Sequence, residues 1–192
     1  MTRVCLIGED ESDLQYELLS RETAREALAT YDLERPFDNS LALRTVSVGA
    51  AVSLLNDLNW YLTRFVDEAL VQEPSVSDAE WLSRSLAEQL RNGAVEPAET
   101  AEYCKIYGLE RVDAGLEEAE TDERGPDGDG EPAETADDAD SSEANRTGAT
   151  GPTDRLVEPL YVRRTDGDLP EYDLRDVEDT LVVRLTEAEH AP

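Results

Sequence analysis

Lysine and histidine are almost missing from this chain. Lys105 and His190 are the only examples, against 16 arginines. Cysteine is scarce as well: Cys5 and Cys104 stand far apart, with no CxxC pair and no disulfide framework, which fits a reducing cytoplasm. One imidazole and two isolated thiols cannot supply a transition-metal ligand set, nor a Ser-His or Cys-His nucleophile pair. The phosphate-cradling GxxxxGK[ST], the dinucleotide GxGxxG and the nucleophile elbow GxSxG are absent. No apolar run approaches the roughly 18 residues that read as a membrane-spanning helix. The opening T-R-V-C-L-I-G has neither a charged leader nor a long apolar stretch behind it. These absences lead to an expectation of a cytoplasmic protein with no membrane contact, cofactor or metal site.

Acid is what the chain has in excess: 46 aspartates and glutamates against 17 basic residues, a net charge of −29 over 192 residues. In ordinary cytoplasm such a surface repels itself and opposes compaction. At about 1 M salt the Debye length falls to about 3 Å, so separated charges scarcely interact. An acidic, lysine-poor composition is therefore what a multimolar KCl cytoplasm permits, and a salt-loving archaeon is the expected source. The alternative is an acidic protein of an ordinary cytoplasm. Residues 113–154 hold 15 acidic and 2 basic residues, net −13, while the other 150 hold 31 and 15, net −16. Both parts are acidic, so the charge describes the solvent before any partner. It argues only weakly against nucleic acid, which remains an unexpected partner.

The pattern of apolar residues gives an element map. Thr2 to Gly8 reads as a strand. Leu14, Tyr16 and Leu18 alternate with polar residues, which favours the second strand of a hairpin, although Ser12-x-x-Gln15 also fits a helix cap. Ser20 is expected to cap a helix to about Tyr31, and Leu41 to Val48 to form a strand. From Ala50 to Gln72 one long amphipathic helix is predicted, burying Ala51, Leu54, Leu55, Leu58, Leu62, Phe65, Val66 and Ala69. Ser77-x-x-Glu80 opens a further helix with Trp81 at the edge of its stripe, Leu82, Leu86 and Leu90 buried, and Asn92-Gly93 as its end. Pro97 starts another, running to Gly108. Leu156–Arg164 reads as a strand with Pro159 at an edge or bulge, and Thr180–Thr186 as the last strand.

Residues 113–154 contain too little apolar area to offset the ordering of their backbone, and a disordered acidic insert is expected there. The predicted fold is α+β. A mostly antiparallel sheet of N- and C-terminal strands packs on a bundle of about four helices. The domain spans 1–112 and 155–187, with a disordered tail at 188–192. An insert of this kind could contact a basic partner or simply solvate the chain; its deletion is expected to leave thermal stability nearly unchanged.

Three stretches carry a resemblance: E-L-L-S-R-E-T-A-R-E-A-L-A-T-Y-D-L, S-L-L-N-D-L-N-W-Y-L-T-R-F-V-D-E-A-L-V and L-P-E-Y-D-L-R-D-V-E-D-T-L-V-V-R. They are similar to a small haloarchaeal family of unknown function, over nearly all of the chain except the acidic insert. The resemblance supports the halophile reading and implies no catalytic or binding residue.

Several constellations invite a chemical reading and lose it on inspection. Asp127-x-Asp129-x-Glu131 superficially suggests a calcium loop, but the glycine and distal glutamate of an EF-hand are out of place. Glu9, Asp10 and Asp13 resemble the acidic corner of a receiver domain, yet Lys105 follows no predicted strand. The predicted helix pair from Ser77 to Gly108 is compatible with a helix-turn-helix, but its second helix offers only Lys105 to DNA, beside Glu99 and Glu102, and Arg163-Arg164 is too short for a basic patch. Trp60 is the better lead. On the long helix it falls with Arg64 on the polar side, flanked by Asn56 and Asn59, where it is either covered by the C-terminal strands, stacked on Arg64, or free to anchor a partner. Trp60, Asn56, Asn59 and Arg64 form the candidate interaction surface. Two functions are compatible with these features. One is a non-catalytic binding or assembly module, with a protein partner or a second copy of the chain. The alternative is a carboxylate-based enzyme, Mg-dependent in one form, which requires a concave site where Asp or Glu residues converge.

Overall fold

The computed structural model describes residues 1–112, 153–165, 167–171, 177 and 179–191. The acidic insert expected over 113–154 lies outside the described residues except for Thr153 and Asp154, and so does the Asp127–Glu131 run.

The first strand, β1 (Thr2–Gly8), is buried on both faces and is an interior strand of the sheet. A polar loop follows, and then α1 (Leu14–Leu19) where a hairpin strand was expected. The helix wins because Asp13 caps it, its Oδ1 accepting from Tyr16 N at 3.0 Å, and because Leu14 and Leu18, four apart, are both fully buried. Tyr16, the middle member of the apparent alternation, points to solvent. The second helix, α2 (Glu22–Leu28), starts from Arg21 with no side-chain cap, so Ser20 does not have the role expected of it. Next comes β2 (Ser40–Thr45), antiparallel to β1.

The predicted spine helix is three elements. Ser47 caps α3 (Val48–Asp57), Leu58 leaves helical geometry, α4 (Asn59–Phe65) follows, and Val66 turns extended into β3 (Val66–Gln72). Intrinsic preference is overridden here by pairing: β1 would otherwise have a bare edge, and Arg3 to Gly8 pair antiparallel with β3. The predicted buried stripe holds through Leu62; Phe65, Val66 and Ala69 are half-buried.

A second correction falls on Ser77–Gly108. Ser77 Oγ accepts from the backbone N of Ala79 and Glu80, but it closes a turn, which leads into a three-residue strand, β4 (Trp81–Ser83). Trp81 is thus a buried strand residue. The helix begins one step later as α5 (Arg84–Arg91), capped by Ser83, and ends at Gly93 in left-handed geometry as expected. Pro97–Ala101 is only a 3₁₀ turn, closed by Glu96 and Glu99. The chain then extends into a strand, β5 (Tyr103–Val112), so there is no helix pair for DNA and no bundle of four long helices among the described residues.

The chain returns as β6 (Thr153–Arg163), whose Pro159 sits at the bulge opposite Tyr107, and β7 (Asp179–Leu185). Glu187–His190, which takes in the first three residues of the expected tail, forms a last helical turn, α6, held by a capping box between Thr186 and Glu189.

Among the described residues seven strands make one sheet, in the order β2-β1-β3-β4-β7-β5-β6. It is mixed: β4 and β7 run parallel, while the other neighbouring pairs are antiparallel. The sheet curls until its edges meet, with Asp38 N donating to Asp154 O at 2.8 Å and Phe37 bridging the same residue. Alternation assigns the two faces. Val4, Leu6, Leu41, Leu43, Val71 and Leu82 join the helices in the larger core, while Cys5, Leu70, Trp81, Tyr107, Leu181 and Val183 fill the inner face. A small third cluster, Cys104, Ile106 and Val162, lies on the outer side of β5 and β6. No helix among the described residues is long and apolar enough to cross a membrane.

Candidate functional site

The four residues singled out from the sequence are all exposed, and two of them touch. Trp60 and Arg64 meet, the guanidinium lying 4.0 Å from the ring centroid, one helical turn apart on α4. Trp60 is 49% exposed, and its neighbours are Tyr61 and Phe65 edge-on and Arg21 at 5.8 Å. The expected cover by the C-terminal strands is not what surrounds it. Asn59 is exposed on the first turn of α4. Asn56 turns away to α5, where its Oδ1 accepts from Arg84 Nη2 at 3.0 Å.

A different constellation gathers at the seam where the curled sheet brings β3 opposite β5. Strand alternation turns Glu68 of β3 and Lys105 and Tyr107 of β5 toward one another. Lys105 Nζ donates to Glu68 Oε1 in a short ion pair, and Tyr107 OH donates to the same oxygen at 2.8 Å. Lys105, predicted in a helix, is a strand residue only 6% exposed. Its ammonium also lies 5.0 Å from the Tyr107 ring and 5.9 Å from that of Tyr161, which β6 places directly opposite Lys105. Burial, together with the Glu68 carboxylate, pushes the Tyr107 phenol far above its ordinary range, so it stays a hydrogen-bond donor.

This group forms the wall between two concavities. The larger, about 380 Å³, is bounded by Asp67, Glu68 and Ala69 of β3, Ser83 and Arg84 where β4 becomes α5, Lys105, Tyr161, Leu185 and Glu189. Its α6 side is fixed: Ser83 Oγ donates to Glu189 Oε2 at 2.7 Å while also capping α5. The smaller, about 180 Å³, opens on the other side of Glu68 and Tyr107 and is lined by Asp10, Asp38, Asn39 and Arg155 among others. Asp67, Glu68 and Glu189 all line the larger concavity, with Glu68 held by Lys105 and Tyr107 and Glu189 by Ser83 and Thr186. Among the described residues, no three potential ligands gather that could hold a metal ion.

Energetics set this ion pair apart from ordinary surface pairs. Removing two charges from water costs several kcal/mol per ion, and a well-packed apolar pair is often as stable or more so. Stability alone thus gives little reason to keep a lysine and a glutamate here. Nor is the lysine a general habit of the chain, since every other basic side chain except His190 is arginine.

A second buried charge group is structural. Glu80 accepts from Arg164 and Arg184, whose side chains are 9% and 11% exposed, and Arg184 Nη1 also donates to Thr100 Oγ1 at 2.8 Å. Burial raises the Glu80 carboxyl, but the two guanidiniums outweigh it and hold the group below the usual carboxylate range. The Arg163-Arg164 doublet is split, Arg164 inward to Glu80 and Arg163 outward to Glu102, so it makes no basic patch. Glu9, Asp10 and Asp13 do not assemble either: Asp13 caps α1, and Asn39, at φ +46°, donates from Nδ2 to the carbonyls of Glu9 and Ser12.

The sequence reasoning missed Glu68, Lys105 and Tyr107. One signal was available in Tyr103-Cys-Lys-Ile-Tyr107, where large polar-tipped and apolar residues alternate as in a half-buried strand. The solitary lysine was the other. Neither the curated proteins nor the solved structures yield a match to this chain. A family model does match, over residues 2–109, from β1 through most of β5: the chain belongs to the family of unknown function DUF5804.

Proposed function

We propose that the chain is a binding module of a halophilic archaeal cytoplasm, and that it takes a small polar molecule in the cavity beside Lys105. One observation carries this reading. The single lysine of an arginine-rich chain is buried against Glu68 and Tyr107 on the wall of a cleft of about 380 Å³. Ligand sites are concavities of this order with a few fixed polar groups. The cleft offers both signs of charge, hydroxyls of Thr63 and Ser83, an apolar floor of Leu62, Val66 and Leu185, and the half-exposed ring of Tyr161.

Thermal melting in molar KCl against a panel of small hydroxylated and zwitterionic compounds tests the reading. A ligand at a hundred times its Kd stabilises by about 2.7 kcal/mol, and Tyr161→Ala should remove that gain. A panel without a single stabilising compound sinks it. The exposed Trp60 stacked on Arg64 supports a second reading, assembly with a partner or second copy through α4. Light scattering after size-exclusion in molar KCl, with Trp60→Ser as control, decides it: a strict monomer that captures no partner excludes that role.

A further inference from the structure

Resting on the cavity reading above, we infer that Lys105 captures a small, uncharged hydroxyaldehyde or hydroxyketone as a reversible imine, with Glu68 as the proton carrier. Of the cationic side chains here only a primary amine can form a carbon–nitrogen double bond, and the chain places its one lysine on a cavity wall. Arginine supplies charge everywhere else and cannot be deprotonated in a protein. Glu68 Oε1 touches Nζ, and Tyr107 OH, bonded to the same oxygen, holds that carboxylate in place.

The step balances without any added reagent. The Lys105 ammonium gives a proton to Glu68, and the freed nitrogen lone pair adds to the carbonyl carbon. The carbonyl π pair moves to oxygen, and a proton passing from nitrogen to that oxygen gives a neutral carbinolamine. Glu68 then protonates the leaving hydroxyl, the carbon–oxygen bond breaks, and water departs. The iminium keeps the single positive charge of the original ammonium, so the pairing with Glu68 is restored and no charge is buried anew.

The cavity also selects among carbonyl compounds. Asp67, Glu68 and Glu189 outnumber Arg84 and Lys105, so an anionic oxo acid is disfavoured. Hydroxyl groups suit a wall of carboxylates and serine and threonine oxygens, which accept their hydrogen bonds.

One lysine makes the test direct, because the only other primary amine is that of Met1. The full chain in molar KCl is incubated with glyceraldehyde and cyanoborohydride, and the site and rate of reduced adduct formation are read by mass spectrometry. The folded chain should be labelled at Lys105 faster than the same chain in guanidinium chloride, with glyoxylate slower than glyceraldehyde. Glu68→Gln should cut the folded-state rate by roughly a hundred-fold, the effect of a positioned proton acceptor. Tyr107→Phe should slow it less, and Lys105→Arg should abolish the adduct at position 105, leaving only the α-amino label. Labelling of Lys105 that is slower when folded, or a label confined to Met1, overturns the inference. If panel compounds stabilise the chain and no adduct forms, the imine falls and the binding reading stands; if neither occurs, both fall.

Discussion

Replacing Glu80 by glutamine is the sharpest probe of how this protein holds its C-terminal strands to the rest. The amide keeps the shape of the carboxylate but leaves Arg164 and Arg184 facing each other, nine-tenths buried, without a counter-charge. Removing one partner of a buried pair costs about 3–5 kcal/mol, and the lower end applies here because Thr100 still holds Arg184. For a domain of about 150 residues, a loss of about 3 kcal/mol lowers Tm by roughly 6–12 °C. The exposed pair Arg155–Glu110 is the control, and Glu110→Gln should cost less than about 1 kcal/mol. Melting and urea titration in molar KCl measure both. Buried pairs are poorly screened, so the Glu80→Gln loss should persist as KCl rises. The pH arm has a definite sign. Glu80 is depressed in the folded chain, so its contribution is complete above the ordinary glutamate value near about 4.3 and is lost as pH falls through the lower folded value. The Glu80→Gln curve should be flatter in that acid window. A loss no larger than that of Glu110→Gln, or one that disappears in high salt, refutes the assignment of this cluster as a buried clamp.

Three further outcomes are expected. Gly8→Ala should destabilise by about 1–3 kcal/mol in urea titrations, because its Cβ would stand 2.5 Å from Asn39 Nδ2 and 2.8 Å from Leu14 Cβ. Cys5 and Cys104 are fully buried, so neither should react with a thiol reagent such as DTNB until the chain unfolds. Burial pushes the Cys5 thiol up to about 12; its contribution to stability is whole below the ordinary value near about 8.5 and falls as pH rises beyond it. Dialysis from molar KCl into dilute buffer should lower the melting temperature sharply, since −29 charges then lose their screening. An unaltered melt would remove the halophile reading.

Where the sequence could be read, and where it could not, depends on the physics of each element. Leu181, Val183 and Leu185 announced β7 by strict alternation, and Asn92-Gly93 announced the end of α5. Val66–Gln72 gave no such warning. Its apolar residues continue the 3.6-residue stripe of α4 without a glycine or proline at the joint, and only pairing with β1 makes it a strand. Pro97 had the opposite effect, suggesting a helix that lasts one 3₁₀ turn before the aromatic alternation of β5 takes over. The site was hidden for the same reason. Glu68 and Lys105 face each other only once both of those segments are strands on a curled sheet, so no spacing along the chain could bring them together.

The place of β7 has a consequence for how such a chain is made. It lies between β4 and β5, two strands synthesised well before it, and among the described residues the ladder neighbours of β5 are β6 and β7 alone. A nascent chain that has emerged only as far as Val112 therefore carries β5 without either of the described strands that pair with its backbone. Until residue 185 leaves the ribosome, the edges of β4 and β5 stand open to any foreign backbone. Chaperone dependence and aggregation should accordingly be governed by the last strand to arrive, and by how quickly it finds its slot.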